Sequence, residues 1–280
     1  MGLLCFIPDV LFNKIFFLYK NRYWPNFKKP QSFNEKINYL KLHSRNPLRA
    51  LVADRIKVRD YIPKKAPECE LIAILWKGDV FTQEVYESLP QKFVLKANHG
   101  SGMIKIVDKV NSNFIELYNL SQLWKNIDYG KITKQLLYSK IEKLLIVEEF
   151  ISFKNDVPPD FKFMCISGNV EFVQVDFDRF KAHKRNLYTQ DYDRLDIQYS
   201  FPDGENIEKP LLLDNAIKIA QKLSRDFDFI RVDLYILDDK IYFGELTNTP
   251  GNGYDRFIPK DMDFKFGKKI IFKKEFDYEN

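Results

Sequence analysis

Two acidic residues near the carboxyl-terminal end of the chain have a spacing that predicts a metal site. The segment 230–253, IRVDLYILDDKIYFGELTNTPGNG, alternates apolar and polar residues around an Asp-Asp turn, which is typical of a β-hairpin. A three-residue loop over 238–240 would place Asp233 directly opposite Glu245. Facing carboxylates repel each other unless a cation lies between them, and Mg²⁺ prefers such hard oxygen ligands together with phosphate oxygens. The alternative is an exposed hairpin whose acids each face water or a lysine.

Strand parity extends this candidate site to four side chains. Because side chains alternate between the two faces of a strand, Arg231 and Thr247 fall on the same face as the acidic pair. The same loop would pair Leu237 with Ile241 beside the turn.

A second candidate site is a short glycine loop that follows a predicted strand at 92–98. The loop consists of His99, Gly100, Ser101 and Gly102. Glycines let backbone N–H groups approach phosphate oxygens, Ser101 adds a hydroxyl donor, and Lys96 could reach the same phosphates. No Lys-Ser/Thr pair follows the loop and no GxGxxG occurs, which excludes a Walker A loop and a Rossmann fingerprint. The alternative is an ordinary turn.

A third segment, VEEFI at 147–151, ends another predicted strand. Its successive glutamates, Glu148 and Glu149, must point to opposite faces, so one of them points inward unless the strand lies at a sheet edge. A strand end beside a cleft could offer backbone groups to a purine edge. The alternative is a strand end with solvated acids.

Composition places these motifs in an ordinary folded protein. The chain has 280 residues, is 45% hydrophobic, and contains 25 Phe and 15 Tyr, which predicts an aromatic core. Its 44 basic and 39 acidic residues are mixed along the sequence, which is too balanced to favour a nucleic-acid partner. The net charge of +5 fits an anionic small molecule, an anionic surface or a generic basic exterior. Three widely spaced cysteines favour a reducing compartment.

The remaining pattern predicts an α+β protein. A capping box at Ser32–Glu35 starts a helix, a second helix follows Asn46-Pro47 toward Tyr61, and two strands meet at a Gly168-Asn169 type II′ turn. We divide the chain into a helical N-terminal part at 1–90, a small β-rich lobe at 91–150 and a larger α+β lobe at 151–280.

The N-terminal segment is apolar but interrupted by charged residues and a proline. It is too short and broken for a spanning helix, and it lacks an A-x-A cleavage signature. Leu11, Ile15 and Leu18 recur at helical spacing, which predicts an amphipathic helix packed on the core. Association with a membrane surface is the alternative.

Taken in order, these motifs resemble the ATP-grasp superfamily, and more closely its TupA-like branch, which is associated with teichuronopeptide and other surface-polysaccharide synthesis. The resemblance covers roughly residues 20–270 and is specific as an ordered set. The resemblance rests on the segments PQSFNEKINYLKLHSRNPLRALVADRIKVRDYI, FVLKANHGSG, VEEFI, DFKFMCISGNVEF and the hairpin segment.

The resemblance implies an ATP-grasp architecture that holds the nucleotide between the small and large lobes. Lys57 and Lys96 would bind the phosphates under a lid loop at 99–102. Asp160, which matches the ribose-binding acid, has Lys162 on the same face. The hinge beside adenine would consist of Glu148, Glu149, Phe150 and Ile151.

The resemblance also assigns the metal and the chemistry. Asp233 and Glu245 would hold Mg²⁺ between ATP phosphates, and Arg231, with Lys96, would stabilise the charge that develops on an acyl phosphate. The superfamily usually has Asn two residues after the metal-binding Glu, whereas this chain has Thr247 there and Asn248 one residue later. Parity favours Thr247, and a bulge would instead present Asn248.

The implied function is an ADP-forming carboxylate–amine ligase that amidates a uronic-acid sugar of a capsular or cell-wall polysaccharide with an amino acid or amine. A charged loop at 178–194 would bind the acceptor through Arg179, Lys184 and Arg185, or would be a solvated basic loop. The expected location is the cytoplasm, including the cytoplasmic face of the membrane. The alternative is a glycosyltransferase or a non-catalytic accessory protein, because 176–178 and 191–193 match DxD by letters, although neither follows a parallel-sheet pattern.

Overall fold

The computed structural model describes residues 9–152, 159–177, 182–237 and 239–273. Its helices are α1 (Asp9–Asn21), α2 (Phe33–His43), α3 (Pro47–Ala53), α4 (Ile62–Lys65), α5 (Gln83–Ser88), α6 (Phe114–Asn126), α7 (Tyr129–Thr133), α8 (Leu213–Ser224) and α9 (Asp261–Lys269). Its strands are β1 (Glu70–Leu71), β2 (Ile74–Gly78), β3 (Lys92–Ala97), β4 (Ile104–Asp108), β5 (Leu145–Glu149), β6 (Asp160–Ile166), β7 (Asn169–Phe177), β8 (Lys184–Tyr188), β9 (Arg194–Leu195), β10 (Gln198–Tyr199), β11 (Phe229–Ile236), β12 (Ile241–Thr247) and β13 (Phe257–Ile258). Short 3₁₀ helices cover Lys57–Asp60, Leu136–Lys140 and Pro250–Gly253.

Two larger sheets organise the described residues. A four-stranded antiparallel sheet has the order β2-β5-β3-β4, and a seven-stranded sheet has the order β1-β12-β11-β6-β7-β8-β9. In the second sheet β1 pairs parallel with β12, and the other pairings are antiparallel. Strand β2 lies within the stretch 1–90 that the sequence pattern treats as helical, yet it pairs with β5 of the small sheet. The α+β class predicted from the sequence is confirmed.

The seven-stranded sheet has a largely apolar face and a divided face. Val173, Val232 and their neighbours on the first face pack against α8. The second face is apolar at one end, where Phe172 and Phe229 lie in a core cluster with Phe33 of α2 and residues of α9. At its other end this face carries charged and polar side chains from β6, β7, β8, β11 and β12. Since burying such groups requires partners, this polar end is where a site is expected.

Two local predictions are corrected by the backbone. The second predicted helix ends at Ala53, and Asp54 then accepts a hydrogen bond from the Ile56 amide at 2.9 Å, so the chain turns before the 3₁₀ helix. The β6–β7 turn uses Ser167 and Gly168, with φ angles of 50° and 84°. Two successive positive φ angles are the signature of a type I′ turn rather than type II′.

Helix α1 is oriented opposite to the prediction. The apolar side chains of Leu11, Ile15 and Leu18 are exposed, whereas Asn13 and Asn21 are buried. The reason is that both amides find partners inside: Asn13 Oδ1 accepts from Lys41 Nζ at 2.9 Å and from the Tyr254 hydroxyl, and Asn21 Oδ1 accepts from Asn34 Nδ2 at 3.3 Å. These polar bonds and the burial of Phe17 against Phe27 and Tyr254 together fix the rotation of this helix.

Lys41 is a buried lysine that donates to three neutral oxygens. Its Nζ donates to Asn13 Oδ1 at 2.9 Å, to the Asn252 carbonyl at 3.2 Å and to the Tyr254 hydroxyl at 3.2 Å. Burial lowers the pKa of Lys41 to about 7. The folded protein therefore releases a proton that the unfolded chain retains up to the ordinary lysine pKa.

This titration predicts a pH dependence of stability. A lowered lysine pKa destabilises the folded state while the unfolded lysine is charged, so the free energy of unfolding should rise as pH increases above 7. Between pH 7 and pH 9 the wild type should gain about 2 kcal/mol relative to Lys41→Met, which cannot titrate at this position. Urea unfolding of both proteins across this range measures the difference. Parallel curves would show that Lys41 keeps its proton in the fold.

Candidate active site

The acidic hairpin forms with the predicted pairing at its functional residues. Asp233 of β11 lies opposite Glu245 of β12, and Arg231 lies opposite Thr247. The four side chains contact one another in a continuous set of hydrogen bonds. The prediction from strand parity is therefore confirmed as geometry.

The turn that closes this hairpin differs from the prediction. Ile236, rather than Leu237, pairs with Ile241, so the register near the turn is shifted by one residue. An irregularity at Gly244 compensates for this shift and restores the pairing of the acids. Glycine is needed there because an added Cβ would lie 2.9 Å from the Asp233 carbonyl oxygen.

Arg231 lies between the two acids. Its Nε and Nη2 donate to the two carboxylate oxygens of Asp233, both at 2.6 Å, and Nη2 also donates at 2.9 Å to Glu245 Oε1 and to Thr247 Oγ1. Burial raises the pKa of Asp233 to about 6 against the pull of Arg231. Burial also opposes ionisation of Glu245, but Arg231 and Arg55 outweigh it and lower that pKa to about 2. Both carboxylates are thus ionised at pH 7.5, as metal ligands must be.

The donor set fits a magnesium ion bound together with a phosphate ligand. Asp233 and Glu245 offer carboxylate oxygens and Thr247 offers a hydroxyl. Among the described residues, no group of three or more His, Cys, Asp or Glu side chains is placed to hold a metal. Mg²⁺ commonly takes one or two protein carboxylates and completes its shell with water and substrate phosphates. A cation at this hairpin would therefore need oxygens from a ligand.

Asn248, the alternative ligand, is committed elsewhere. It is buried, its Oδ1 accepts from Arg49 Nη1 at 2.9 Å, and its Nδ2 donates to the Arg49 carbonyl at 2.9 Å. Thr247 instead lies on the face of the acidic pair, where its hydroxyl donates to Glu245 Oε1 at 2.7 Å. The geometry favours Thr247 as the third oxygen.

The small sheet provides a facing charged group. Lys96 of β3 and Glu148 of β5 form an ion pair, and Arg59 Nη1 lies 3.5 Å from Glu148 Oε1. Glu148 is buried and Glu149 is exposed, so the predicted division of the two glutamates is confirmed. Phe150 and Ile151 follow the strand and are half-buried.

A cavity of about 260 Å³ connects these two groups. Polar and charged side chains from both sheets line it: Lys96 and Glu148 from the small sheet, and Arg231, Glu245 and Thr247 from the large one. Further polar or glycine residues on its walls are Arg55, Arg59, Gly100, Ser101, Tyr129, Gln135, Tyr138, Gly244, Thr249, Gly251 and Asn252. A concave site with convergent polar groups is the usual form of a small-molecule site.

Two arginines, rather than the predicted Lys57, line the cavity. That lysine is exposed and does not line the cavity, whereas Arg55 and Arg59 do. Arg55 Nη1 donates to the Ala97 carbonyl at 2.8 Å and to the Gly100 carbonyl, and its Nη2 lies 3.8 Å from Glu245 Oε2. Because helix α3 ends at Ala53, Arg55 and Arg59 face the cavity. The sequence pattern instead predicts a helix that continues toward Tyr61.

The residues of the glycine loop differ in position: two line the cavity, and His99 is buried beside it. Gly100 and Ser101 line the cavity, and Gly102 adopts a φ of 76°, which glycine accommodates readily. His99 is buried, its Nε2 lies 3.1 Å from the Trp124 carbonyl, and burial lowers its pKa. His99 therefore holds the loop against α6 rather than contacting the cavity.

Asp160 and Lys162 belong to a buried ion-pair network beside the acidic hairpin. Lys162 Nζ lies 2.8 Å from Asp160 Oδ2 and 3.2 Å from Asp176 Oδ2. Neither residue lines the cavity, but Lys162 pairs across the strands with Asp233. The pair supports the floor of the site.

Strand β8 covers part of the predicted acceptor loop. Lys184 and Arg185 begin β8, and Arg179 lies outside the described residues. Arg185 is buried, and its Nε donates to Asp176 Oδ1 at 2.6 Å. Burial opposes the ionisation of Asp176, but Lys162 and Arg185 outweigh this effect and hold the pKa of that carboxyl well below its usual range. Arg185 is therefore structural, and Asp176 is not an open DxD ligand.

One cavity wall has no counterpart among the predicted site residues. Tyr129, Gln135 and Tyr138 come from α7 and the following 3₁₀ helix, and the Thr249 hydroxyl donates to Gln135 Oε1. The sequence pattern describes this stretch only as helix and connector. Its short, irregular turns carry no motif, so only the structure reveals the wall.

Comparison with known proteins adds a family. A model of the TupA-like ATPgrasp family matches residues 35–271. None of the curated proteins matches the chain.

Similar solved structures include D-alanine–D-alanine ligases. The Bacillus anthracis enzyme complexed with ATP has 14% identity and a TM-score of 0.43, covering 72% of this chain and 55% of that chain. A second structure of that enzyme has 16% identity and a TM-score of 0.47, with 79% and 65% covered. The Helicobacter pylori enzyme has 14% identity and a TM-score of 0.45, with 85% and 64% covered. The present chain spans less than two thirds of the length of each.

Proposed function

The chain belongs to the TupA-like ATP-grasp family, and from this premise we propose that it is an ATP-dependent, ADP-forming carboxylate–amine ligase. The observation that carries the proposal is one polar cavity with Lys96 and Arg59 on one wall and the Glu245 hairpin on the other. The cations would bind oxygens of a triphosphate, and the hairpin carboxylates would bind its Mg²⁺. The cavity therefore suits a magnesium-bound triphosphate.

The nucleotide would lie along the cavity with its phosphates between the two walls. Lys96 and Arg59, which both pair with Glu148, would turn toward phosphate oxygens. Backbone N–H groups at Gly100 and Ser101 would bind the same phosphates. The end of β5 at 148–151 would lie beside the base and contact it through backbone groups.

Mg²⁺, held by Asp233, Glu245 and Thr247, would supply charge neutralisation to the phosphates. Arg231 donates to all three of these residues, and it would exchange part of this bonding for substrate oxygens. Its pKa lies far above neutrality, because its acidic partners outweigh the effect of burial, and it therefore remains a cation throughout. A guanidinium that Asp233 holds beside the transferred phosphoryl group would stabilise the charge that develops there.

The proposed reaction consists of two successive displacements. A substrate carboxylate oxygen attacks the γ-phosphorus of ATP, the bond to the β–γ bridging oxygen breaks, and ADP leaves. An amine nitrogen then attacks the acyl carbon of the resulting acyl phosphate and loses a proton as phosphate leaves. The residues that line the cavity would position the substrates and stabilise charge, and none of them needs to act as a nucleophile. Catalysis of phosphoryl transfer depends mainly on these two effects.

We propose a uronic-acid sugar as the carboxylate substrate and an amino acid or other amine as the second substrate, in line with the surface-polysaccharide association of the TupA-like branch. The test is to incubate the protein with ATP, Mg²⁺, glucuronic or galacturonic acid derivatives and amino acids. ADP and phosphate should accumulate, and hydroxylamine should trap the acyl phosphate as a hydroxamate. Accumulation of AMP and pyrophosphate would contradict this chemistry.

Paired substitutions distinguish Arg59 from Lys57. Arg59→Met removes a cation from the cavity wall and should weaken ATP binding about tenfold or more, as expected for one charge-assisted phosphate contact. Lys57→Met, two residues away and exposed, should change the affinity less than about twofold. Calorimetric titration of both variants measures the difference. A larger loss in Lys57→Met than in Arg59→Met would show that the wrong cation has been placed in the site.

A further inference from the structure

The outward face of α1 and the turn after it form an exposed apolar surface. Leu11, Ile15 and Leu18 are 43%, 48% and 41% exposed, and Tyr19 and Trp24 are 62% and 55% exposed. We name these five residues the α1 face. Exposed apolar side chains are common singly, but a contiguous set on one helix marks an interaction site.

The α1 face is held in place by the inner side of the same helix. Asn13 bonds Lys41 and Tyr254, and Lys41 in turn donates to the carbonyl of Asn252, which lines the cavity. Phe17 of the helix is fully buried. Because the helix is anchored in this way, its apolar residues are presented on a fixed surface rather than on a loose tail.

The sequence that carries the α1 face is mainly basic, although helix α1 begins at Asp9. Between positions 10 and 34 the sequence contains five basic residues and no Asp or Glu. Lys14 Nζ lies 5.9 Å from the Trp24 ring and the Arg22 guanidinium 5.4 Å from the Tyr19 ring. Lys28 and Lys29 are exposed nearby. Basic side chains beside Trp and Tyr are typical of elements that lie at the headgroup level of a membrane.

We propose that the α1 face binds the surface of a bilayer containing anionic lipid, with the helix axis in the membrane plane. The apolar residues would enter the boundary between headgroups and acyl chains, and the basic residues would contact lipid phosphates. Within the described residues no helix is long and apolar enough to cross a bilayer. A second copy of this chain is disfavoured as the occupant because its own α1 face carries the same positive charge.

This proposal is independent of the proposed ligase activity and is tested without ATP. The full chain is mixed with vesicles of 30% phosphatidylglycerol in phosphatidylcholine, or of phosphatidylcholine alone, and the bound fraction is measured by flotation. Binding should require the anionic lipid and weaken at high salt. Leu11→Gln/Ile15→Gln/Leu18→Gln should lower the affinity about tenfold or more, and Lys14→Gln/Arg22→Gln about fivefold for each charge removed.

A matched control comes from α6, where Ile115 and Leu123 are 68% and 63% exposed. Ile115→Gln/Leu123→Gln removes comparable apolar area from another helix and should leave vesicle binding unchanged. The melting temperature of each variant verifies the fold. The proposal is overturned if the wild type does not float with anionic vesicles, or if the α1 variant floats as well as the control. Concentration-dependent dimerisation that the α1 variant abolishes, without vesicle binding, would instead identify a contact between copies.

Discussion

Glu245→Gln is expected to reduce magnesium-supported turnover by about a hundredfold or more while leaving the fold intact. The substitution keeps the shape of the side chain but removes the charge of Glu245, the hairpin carboxylate that lines the cavity. A neutral amide is a poor ligand for Mg²⁺ beside phosphates, and losing a preorganised charge in such a site commonly lowers kcat by about 10²–10³. Phosphate release measured over a range of Mg²⁺ concentrations should show a higher Mg²⁺ requirement.

Glu70→Gln is the matched control for this substitution. Glu70 lies on β1, which pairs with the same strand β12, but it is exposed and pairs with Lys240 outside the cavity. Its loss should change turnover less than about twofold. Unaltered phosphate release in Glu245→Gln, at every Mg²⁺ concentration, would remove Glu245 from the site.

Arg231→Met should lower both activity and stability. Activity should fall about 10²–10³-fold because the guanidinium that would face the acyl phosphate is lost. Stability should fall by about 3 kcal/mol, because Asp233 would remain buried without the partner that bonds both of its oxygens. Steady-state kinetics and urea unfolding measure the two effects separately.

A double variant separates these two roles of Arg231. In Arg231→Met/Asp233→Asn the unpaired buried charge is removed, so most of the lost stability should return. Activity should stay low because neither the cation nor the full acidic pair is restored. If the double variant regained turnover, Arg231 would act only through the fold. If Arg231→Met alone retained both turnover and stability, the bidentate pair with Asp233 would be wrong.

Predictions that depend on local parity could be made from the sequence. Asp233 and Glu245 share a face because side chains alternate along strands, and the same rule separates buried Glu148 from exposed Glu149. The capping box also forms as predicted: Ser32 Oγ accepts from the amide of Glu35, whose carboxylate accepts in return. In each case the determining partners lie on the same or the adjacent strand, or within one helical turn.

Features that depend on distant partners could not be predicted. The exposure of Leu11 follows from bonds between Asn13 and Lys41, 28 residues away. The burial of Arg185 depends in part on Asp255, 70 residues away, whose Oδ2 accepts from Arg185 Nη1 at 3.3 Å.

Local backbone breaks limited the site prediction in a different way. Arg55 and Arg59 face the cavity because the helix ends at Ala53, and the acidic pair keeps its register only through Gly244. Neither event changes the hydrophobic period enough to be recognised from sequence. The break after Ala53 changes which side chains face inward, so Arg55 and Arg59 line the cavity and Lys57 does not.

The most direct test is a calorimetric titration with a non-hydrolysable ATP analogue in the presence and absence of Mg²⁺. If the cavity holds a magnesium–triphosphate between Lys96 and the Glu245 hairpin, Mg²⁺ should tighten binding of the analogue about tenfold or more, and Glu245→Gln should abolish that gain. Equal affinity with and without Mg²⁺, or binding of a UDP-sugar in place of the analogue, would contradict the account.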